Sequence, residues 1–341
     1  MDSQFIKRQR PSSVLPKALP AALFLVVCMV SLPLAPGLAQ TKPLMDLRDS
    51  MSVDEVNRSL AQRASRTKGR ATFHFGFDLR SGPLEDARQY LPFLNYLSRA
   101  TGYDFKLRFT SKSSSIIDDL GTGKVHFAAV GAVSFIKAHE KYGAVHMVRG
   151  KNKQGGSEYR SAFVVLPDSR FENLQHIKGA SVAFGSRTST QGHLIPRITL
   201  ARHGIELNDL TSYEFAGSHR SCVNSVLKRA FDVCGMQDTM ALELASRGLV
   251  RVLHMSGYYP SSGIASNKDV SLEVIETVKR ALLDFDPLDR DKKGLYDWQR
   301  TEMPNGFGRS DSTDYAELRS WLIRLGLLES KTVSPRREKQ E

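Results

Sequence analysis

The part of this chain best suited to binding an anion is a hydroxyl-rich stretch at residues 185–196, which reads Gly-Ser-Arg-Thr-Ser-Thr-Gln-Gly-His-Leu-Ile-Pro. It follows a short apolar run and leads into a helical pattern. The first turn of a helix leaves backbone N–H groups without intrahelical partners, and such groups bind phosphate and other anions. Ser189 and Thr190 add hydroxyl donors there, although a hydroxyl residue before a helix is also a common N-cap. The stretch lacks the Gly-x-x-x-x-Gly-Lys-Ser/Thr spacing of a nucleotide P-loop, so it does not support an ATPase.

Alternating strands and helices must position this loop. From residue 71 onward, short apolar segments typical of strands alternate with segments of helical periodicity. The first long segment of helical periodicity ends at Gly102. This rhythm predicts an α/β fold of two doubly wound lobes. A double crossover at residues 157–166 and 261–266 joins the lobes and forms the hinge. A cleft between such lobes collects strand ends and helix N-termini, which is where ligands bind.

The domain organisation follows from these patterns and from the composition of the two ends of the chain. We predict a signal peptide at residues 1–39, a polar lead-in segment at 40–70, a first lobe made of 71–156 and 258–328, a second lobe at 157–257, and a charged C-terminal tail at 329–341.

The first 39 residues have the pattern of a secretory signal peptide. Four basic residues precede an apolar run at residues 19–34, and small residues at 37 and 39 provide a cleavage site after Ala39. The alternative is an uncleaved membrane anchor, which Pro20, Pro33 and Pro36 and the short apolar run disfavour. Such a signal peptide predicts export of the mature chain.

The charge of the chain favours an anionic partner. The 341 residues carry a formal net charge of +12, and loss of the first 39 residues, with four basic residues and one acidic residue, lowers it to +9. A solvated basic surface explains such an excess equally well. No basic stripe with interleaved aromatic residues is visible, so nucleic acid is not expected as a partner.

The cysteine and histidine residues indicate whether a disulfide or a metal site is possible. After cleavage only Cys222 and Cys234 remain, and a disulfide between them and a pair of buried thiols are both compatible with the sequence. Neither a Cys-x-x-Cys motif nor a histidine-rich pair suggests a metal site. We therefore expect no metal and no cofactor.

Six segments in order resemble one known family. They cover residues 93–97, 129–135, 189–196, 215–219, 232–235 and 260–265, and Gly-Phe at 306–307 with Asp-Tyr at 314–315 extends the match. The chain resembles the phosphate-, phosphite- and phosphonate-binding proteins of ABC transporters, which are type II periplasmic binding proteins. The resemblance covers roughly residues 71–327.

The resemblance implies a ligand site. In that family the loop equivalent to 189–193 and a Gly-Ser-His motif hold the phosphonate oxygens, so Ser189, Thr190 and His219 would donate to the oxyanion. Ser134 would close on it from the opposite lobe. The residues thus expected to bind the ligand are Ser189, Thr190, Gln191, Gly192, His219, Ser134, Phe135 and Asp238.

Several positions depart from the family pattern or allow two interpretations. Gln191 and His193 stand where the family has Ser and Tyr, and Phe135 stands where many members have Tyr, which puts the preferred ligand substituent in doubt. Asp238 is either a carboxylate for an amine-bearing ligand or a helix N-cap. Arg80 and Arg187, near strand ends, would add positive charge to the site unless they are ordinary exposed arginines.

The expected function is that of a monomeric periplasmic solute-binding protein. It would capture a small phosphorus oxyanion, with a sulfur oxyanion as an open alternative, and deliver it to an ABC permease in the inner membrane without changing it chemically. A sensor subunit for a membrane kinase is the second hypothesis. The third is an enzyme that uses His219 with Cys222 or Cys234 as base and nucleophile.

Overall fold

The structure, a computed structural model, describes residues 69–80, 82–111 and 113–329. The predicted signal peptide, the lead-in segment up to residue 68 and the tail from residue 330 lie outside these residues. Within the described residues no helix is long and apolar enough to cross a membrane.

The strands of the described residues build two main sheets, of six and five strands, and a short two-stranded ribbon. In chain order the strands are β1 (Thr72–Phe77), β2 (Asp104–Leu107), β3 (Phe127–Val130), β4 (Val145–Gly150), β5 (Glu158–Tyr159), β6 (Ser161–Val165), β7 (Ser181–Phe184), β8 (Ser212–Phe215), β9 (Val233–Gln237), β10 (Arg251–Met255), β11 (Tyr259–Pro260), β12 (Gly263–Ser266) and β13 (Phe307–Arg309).

The helices cover both faces of the sheets. In chain order they are α1 (Pro83–Thr101), α2 (Ile116–Gly121), α3 (Ala132–Tyr142), α4 (Ile195–Arg202), α5 (His219–Leu227), α6 (Asp238–Ser246), α7 (Leu272–Leu283) and α8 (Ala316–Arg324). A π-helical turn, Thr190–Leu194, leads directly into α4.

Sheet topology confirms the predicted fold class. The larger sheet has the order β13-β4-β12-β3-β1-β2, in which β1 is parallel to β2 and β3, and β12 runs antiparallel to β3 and β4. The smaller sheet has the order β10-β6-β9-β7-β8 with β7 parallel to both neighbours. The antiparallel ribbon of β5 and β11 lies where the chain passes between the two sheets, as expected for a double crossover. The exact lobe boundaries remain predictions.

Local sequence explains the longest helix. Pro83 stands in its first turn, where the missing N–H costs nothing, and Glu85 and Asp86 complement the helix dipole there. The helix ends where Gly102 takes φ 77°, a left-handed conformation in which glycine avoids the strain other residues incur. Its N–H bonds the carbonyl of Ser98. The prediction that this helix ends at Gly102 is confirmed.

One helix of the smaller-sheet lobe packs into the core of the other lobe. Leu194, Ile195 and Ile198 are fully buried in an apolar cluster that also contains residues of α3 and α8. At the exposed end of this contact Arg202 pairs with Glu317 at 2.6 Å. Apolar burial of this kind is the main favourable contribution to packing, so it holds the two lobes together on one side of the cleft.

A disulfide joins α5 to β9. The sulfur atoms of Cys222 and Cys234 lie 2.10 Å apart, and both residues are fully buried within the apolar layer between α5 and the smaller sheet. Of the two arrangements that the sequence allowed, the structure has the bridge.

We expect loss of this bridge to destabilise the protein. A Cys222→Ala/Cys234→Ala variant should lose about 3 kcal/mol of unfolding free energy, because the cross-link restricts the unfolded chain. Urea denaturation of the mature protein measures the difference. Equal urea midpoints for the double variant and the parent chain would contradict the expectation.

Candidate functional site

A small buried cavity lies where strand ends of both main sheets meet. The loops that follow β1, β3, β7 and β8 all contribute to its wall, as expected for α/β folds, in which ligands bind beyond the carboxyl ends of parallel strands. Its lining residues are Asp78, Leu79, Arg80, Gly131, Tyr159, Ser186, Ser189, Thr190, Gln191, Gly217, Ser218, His219, Ser262 and Glu302. We call this cavity the cradle.

Three helix N-termini converge on the cradle. Gly131 precedes α3, Ser189 precedes the π-turn that continues as α4, and Ser218 precedes α5. Each N-terminus places the positive end of a helix dipole at the cavity wall. One comes from the lobe of the larger sheet and two come from the lobe of the smaller sheet. An anion in the cradle would thus bridge the two lobes.

The predicted hydroxyl loop lies in the cradle wall. Ser189 caps the π-turn, its Oγ accepting a bond of 2.8 Å from the N–H of Gly192, which leaves the hydroxyl hydrogen available to a ligand. Thr190 is tied to the other lobe, since its Oγ1 accepts a bond of 3.0 Å from the N–H of Val133 in α3. It therefore joins the lobes as well as lining the cavity.

Close packing around residue 192 requires a glycine there. A Cβ atom at this position would lie 3.0 Å from Cε1 of His219, 3.0 Å from Cα of Gly185 and 2.9 Å from Oγ of Ser189. Such contacts are closer than side chains tolerate, so glycine lets the His219 ring lie directly against the loop backbone.

His219 is a neutral donor or acceptor at the start of α5. It is buried, and its Nδ1 has no hydrogen-bond partner. Burial lowers its pKa to about 3, and repulsion from Arg80 acts in the same direction. A neutral imidazole with an open nitrogen matches a ligand that offers or accepts a hydrogen bond.

Charged side chains of the cradle nearly cancel. Arg80 forms an ion pair with Glu302, and Glu302 also accepts a hydrogen bond from Ser262. The Arg80 side chain is 15% exposed and its Nε lacks a partner. Asp78 accepts bonds from the N–H of Gly131 at 2.9 Å and from the hydroxyl of Ser134 at 3.0 Å. Burial raises the pKa of Asp78, whereas these hydrogen bonds and the charge of Arg80 act to lower it.

The structure brings some of the predicted site residues together and leaves others apart. Ser189, Thr190, Gln191 and His219 line the cradle, and Gly192 supports the His219 ring. Ser134 donates to Asp78 behind the wall. Phe135 packs in the core against His146 and Tyr315, with ring centroids at 4.8 and 5.4 Å. Their roles in ligand binding remain predictions.

The two arginines predicted near strand ends differ in their positions relative to the cradle. Arg80 lines the cradle, whereas Arg187 is exposed and lies over the ring of Phe215 at 4.2 Å. His193 is directed into the core, where its Nδ1 is 2.9 Å from the carbonyl oxygen of Arg187. Burial lowers the pKa of His193 to about 4.

A second, larger cavity adjoins the cradle. It has a volume of about 750 Å³ and shares Tyr159, Gln191 and Glu302 with the cradle. We call it the chamber. Its wall contains both acidic and basic side chains, and Asp238 lies here rather than in the cradle. Asp238 is the first residue of α6, pairs with Arg160 at 3.8 Å, and accepts a bond from the N–H of Thr239.

The sequence profile of one family, described as "ABC transporter, phosphonate, periplasmic substrate-binding protein", matches residues 75–315. The chain belongs to this family. The resemblance stated from the six segments is thereby confirmed. The family consists of substrate-binding components of transporters, so it lends no support to a kinase sensor.

A curated relative matches part of this chain. The probable ABC transporter phosphite-binding protein PhnD1 of Prochlorococcus marinus (strain MIT 9301) is 26% identical over 152 residues. These residues are 42% of this chain and 45% of the relative, so the match spans less than half of the relative's length.

Solved structures share the fold. PhnD1 of P. marinus (MIT 9301) in complex with methylphosphonate has a TM-score of 0.67 at 17% identity, over 75% of this chain and 99% of that chain. A binding component of an ABC phosphonate transporter from Pseudomonas aeruginosa has a TM-score of 0.66 at 19% identity, over 75% and 87%. The alkanesulfonate-binding protein of Xanthomonas axonopodis pv. citri reaches 0.55 at 14% identity, over 77% and 96%. The family member described here thus has the type II periplasmic binding protein fold.

Several cradle residues carry no local sequence signal. Asp78, Tyr159, Ser262 and Glu302 come from separate segments that only the folded sheets bring together. Tyr159 and Ser262 lie in the predicted crossovers, and that position is a signal that could have identified them.

We expect buried neutral histidine to make stability depend on pH. Between pH 6.5 and about 3 the unfolded chain binds a proton at His219 and the folded chain does not. The free energy of unfolding should therefore fall as pH falls, by about 1.4 kcal/mol per unit for one such group. Urea denaturation at pH 7 and at pH 5 measures the change. Over this interval the free energy of unfolding of His219→Asn should fall by about 2 kcal/mol less than that of the parent protein. Parallel pH profiles for the two proteins would contradict this expectation.

Proposed function

We propose that this protein captures a small phosphonate, or a related phosphorus oxyanion, in the cradle and delivers it to an ABC permease. The observation that carries the proposal is the convergence of three helix N-termini from both lobes around Arg80. Backbone N–H groups and a guanidinium suit a tetrahedral oxyanion because they provide several donors in fixed directions.

The ligand would act as the bridge between the lobes. The N-terminus of α3 and Arg80 belong to one lobe, whereas Ser189 and His219 belong to the other. A ligand bound by both sets of donors stabilises the closed arrangement over the open one by its differential affinity. The permease would then recognise the closed, loaded form.

We also propose that the protein performs no chemistry on its ligand. The enzyme hypothesis requires a thiolate, and Cys222 and Cys234 are joined in a disulfide. His219 remains as a buried neutral group whose surroundings are those of a binding site. Family membership supports a periplasmic location and an inner-membrane permease as the partner. We also propose that a signal peptide is cleaved after Ala39 and that the mature protein is a monomer.

We expect phosphonates to bind and Ser189 to contribute. Isothermal titration with phosphate, phosphite, methylphosphonate, 2-hydroxyethylphosphonate and sulfate should show the tightest binding for a phosphorus compound. Ser189→Ala should weaken that binding about tenfold, since one hydrogen bond to a charged ligand is lost. Ser246→Ala is the matched control, because that exposed hydroxyl bonds the carbonyl of Glu243 and lines neither cavity. Absence of binding to every phosphorus compound would overturn the proposed function.

Arg80 should contribute more than any exposed arginine. Arg80→Gln removes the cradle guanidinium, so phosphonate affinity should fall by a factor of about 10 to 100. Arg187→Gln is the control. Arg187 belongs to the hydroxyl-rich loop at 185–196, but its side chain is exposed and stacked on Phe215. Its effect should stay within about twofold. Equal losses in the two variants would indicate a general electrostatic effect and would exclude a direct contact from Arg80.

A further inference from the structure

The charged side chains of the cradle leave an excess of negative charge at a site that takes an anion in the proposed function. Within the described residues the charged groups of its wall are Asp78, Arg80 and Glu302. Arg80 and Glu302 form an ion pair and balance each other. His219 is neutral near pH 7, since burial lowers its pKa to about 3. The charge of the Asp78 carboxylate then remains, and the described part of the wall holds no second cation to balance it.

Asp78 occupies the N-terminus of α3, one of the three helix starts at the cradle. Its Oδ2 accepts a bond of 2.9 Å from the N–H of Gly131, and its Oδ1 accepts one of 3.0 Å from the hydroxyl of Ser134. Another N–H of the same first turn, that of Val133, donates to Oγ1 of Thr190 at 3.0 Å. A ligand oxyanion that approaches this helix start therefore meets a carboxylate that already holds the favourable position.

Two oxyanions at one helix start repel each other unless a proton lies between them. Two carboxylates that share a site behave in this way, because they cannot both ionise and they hold one proton in common. Each Asp78 oxygen uses one lone pair in the bonds described above and retains another that can accept a hydrogen bond. A phosphonate that keeps one acidic hydrogen can donate it to Asp78, whereas a fully ionised phosphonate has no such hydrogen.

The other titratable groups around Asp78 come from its own loop, α1, β5, α5 and the loop before β13. They are Arg80, Asp86, Tyr90, Tyr159, His219 and Glu302. Both tyrosines stay neutral, because burial raises their pKa values. Asp86 lies outside the cradle wall and accepts bonds from the N–H groups of Arg80 and Gly82. Burial also raises the pKa of Asp78, which favours a shared proton at this carboxylate.

We propose that binding of a phosphonate or a related oxyanion in the cradle is coupled to one proton, which lies in a hydrogen bond between Asp78 and a ligand oxygen. The proton comes from solvent when the free ligand is fully ionised, and it arrives with the ligand when the free ligand is singly protonated. This inference rests on the proposed function, since it assumes that the oxyanion occupies the cradle. It adds a regulation of that site by pH, because affinity falls once the free ligand has lost its last proton.

The number of protons taken up can be measured directly. Isothermal titration with methylphosphonate at pH 8.5, where the free ligand is fully ionised, is carried out in two buffers of different ionisation enthalpy. The difference between the two observed enthalpies gives the number of protons taken up per ligand. The parent protein should take up about one proton, and its Kd should rise about tenfold between pH 8 and pH 9, as linkage to one proton requires.

Asp78→Asn removes the charge and keeps an oxygen that can accept the bond from Gly131. This variant should take up less than about 0.3 proton per ligand, and its Kd should change less than about twofold between pH 8 and pH 9. Urea denaturation shows whether it folds, and Asp78→Ser, which also removes the charge, is the second variant.

Asp119→Asn is the matched control. Asp119 is also buried, and it accepts a bond of 2.6 Å from the hydroxyl of Ser114, but it lines neither the cradle nor the chamber. This variant should keep the proton uptake and the pH dependence of the parent protein.

The outcomes separate the two proposals. Binding without proton uptake by the parent would overturn this inference and leave the proposed function intact. Uptake that persists unchanged in Asp78→Asn or Asp78→Ser would also overturn it and assign the proton to another group. Failure of methylphosphonate, phosphite and phosphate to bind the parent would remove the proposed function and this inference together.

Discussion

The cradle depends on backbone N–H groups that helix geometry leaves without intrahelical partners. A helix cannot satisfy the donors of its own first turn, so they must be capped, hydrated or bound to a ligand. This fold brings three such first turns to one point by ending β3, β7 and β8 beside each other and starting a helix after each. The two main sheets, the crossover ribbon and the buried contact of α4 with the other lobe all keep these three turns in place.

Net charge contributes little to this arrangement. Within the described residues the cradle wall contains one arginine, two carboxylates and a neutral histidine. Attraction for an anion therefore comes from oriented dipoles and the Arg80 guanidinium rather than from an excess of positive side chains. Oriented dipoles in a buried site are screened less by salt than surface charges are. The overall charge of +12 was consequently a poor guide to the location of the site.

Local features of this protein could be predicted from sequence, and features formed by distant segments could not. The loop at 185–196 has the composition of an anion site by itself, and the helix after Gly82 has its proline, acidic residues and terminal glycine in place. Phe135, by contrast, lies one helical position from Ser134 and faces the core, because a rotation of about 100° per residue separates neighbours on a helix. Sequence pattern alone did not show that Ser134 lies behind the cradle wall and that Phe135 lies in the core.

Glu302 is a site residue that the sequence pattern did not reveal at all. It stands in a loop between α7 and β13, without a motif, yet its carboxylate pairs with Arg80 and contributes to both cavities. Its neighbours in space come from the end of β1 and from the second crossover. Only the closing of the larger sheet by β12 and β13 brings these segments together, which requires knowledge of the strand order.

The bond between Thr190 and the N–H of Val133 has a kinetic consequence. It crosses the cleft as a direct contact between the lobes, and the apolar contact of Leu194 and Ile195 with the other lobe acts in the same direction. These contacts stabilise the closed arrangement, so a ligand enters the cleft only after this bond breaks. At high ligand concentration the observed association rate should level off at the rate of opening, as in conformational selection. The loop that provides affinity thus also sets how fast the protein can take up its cargo.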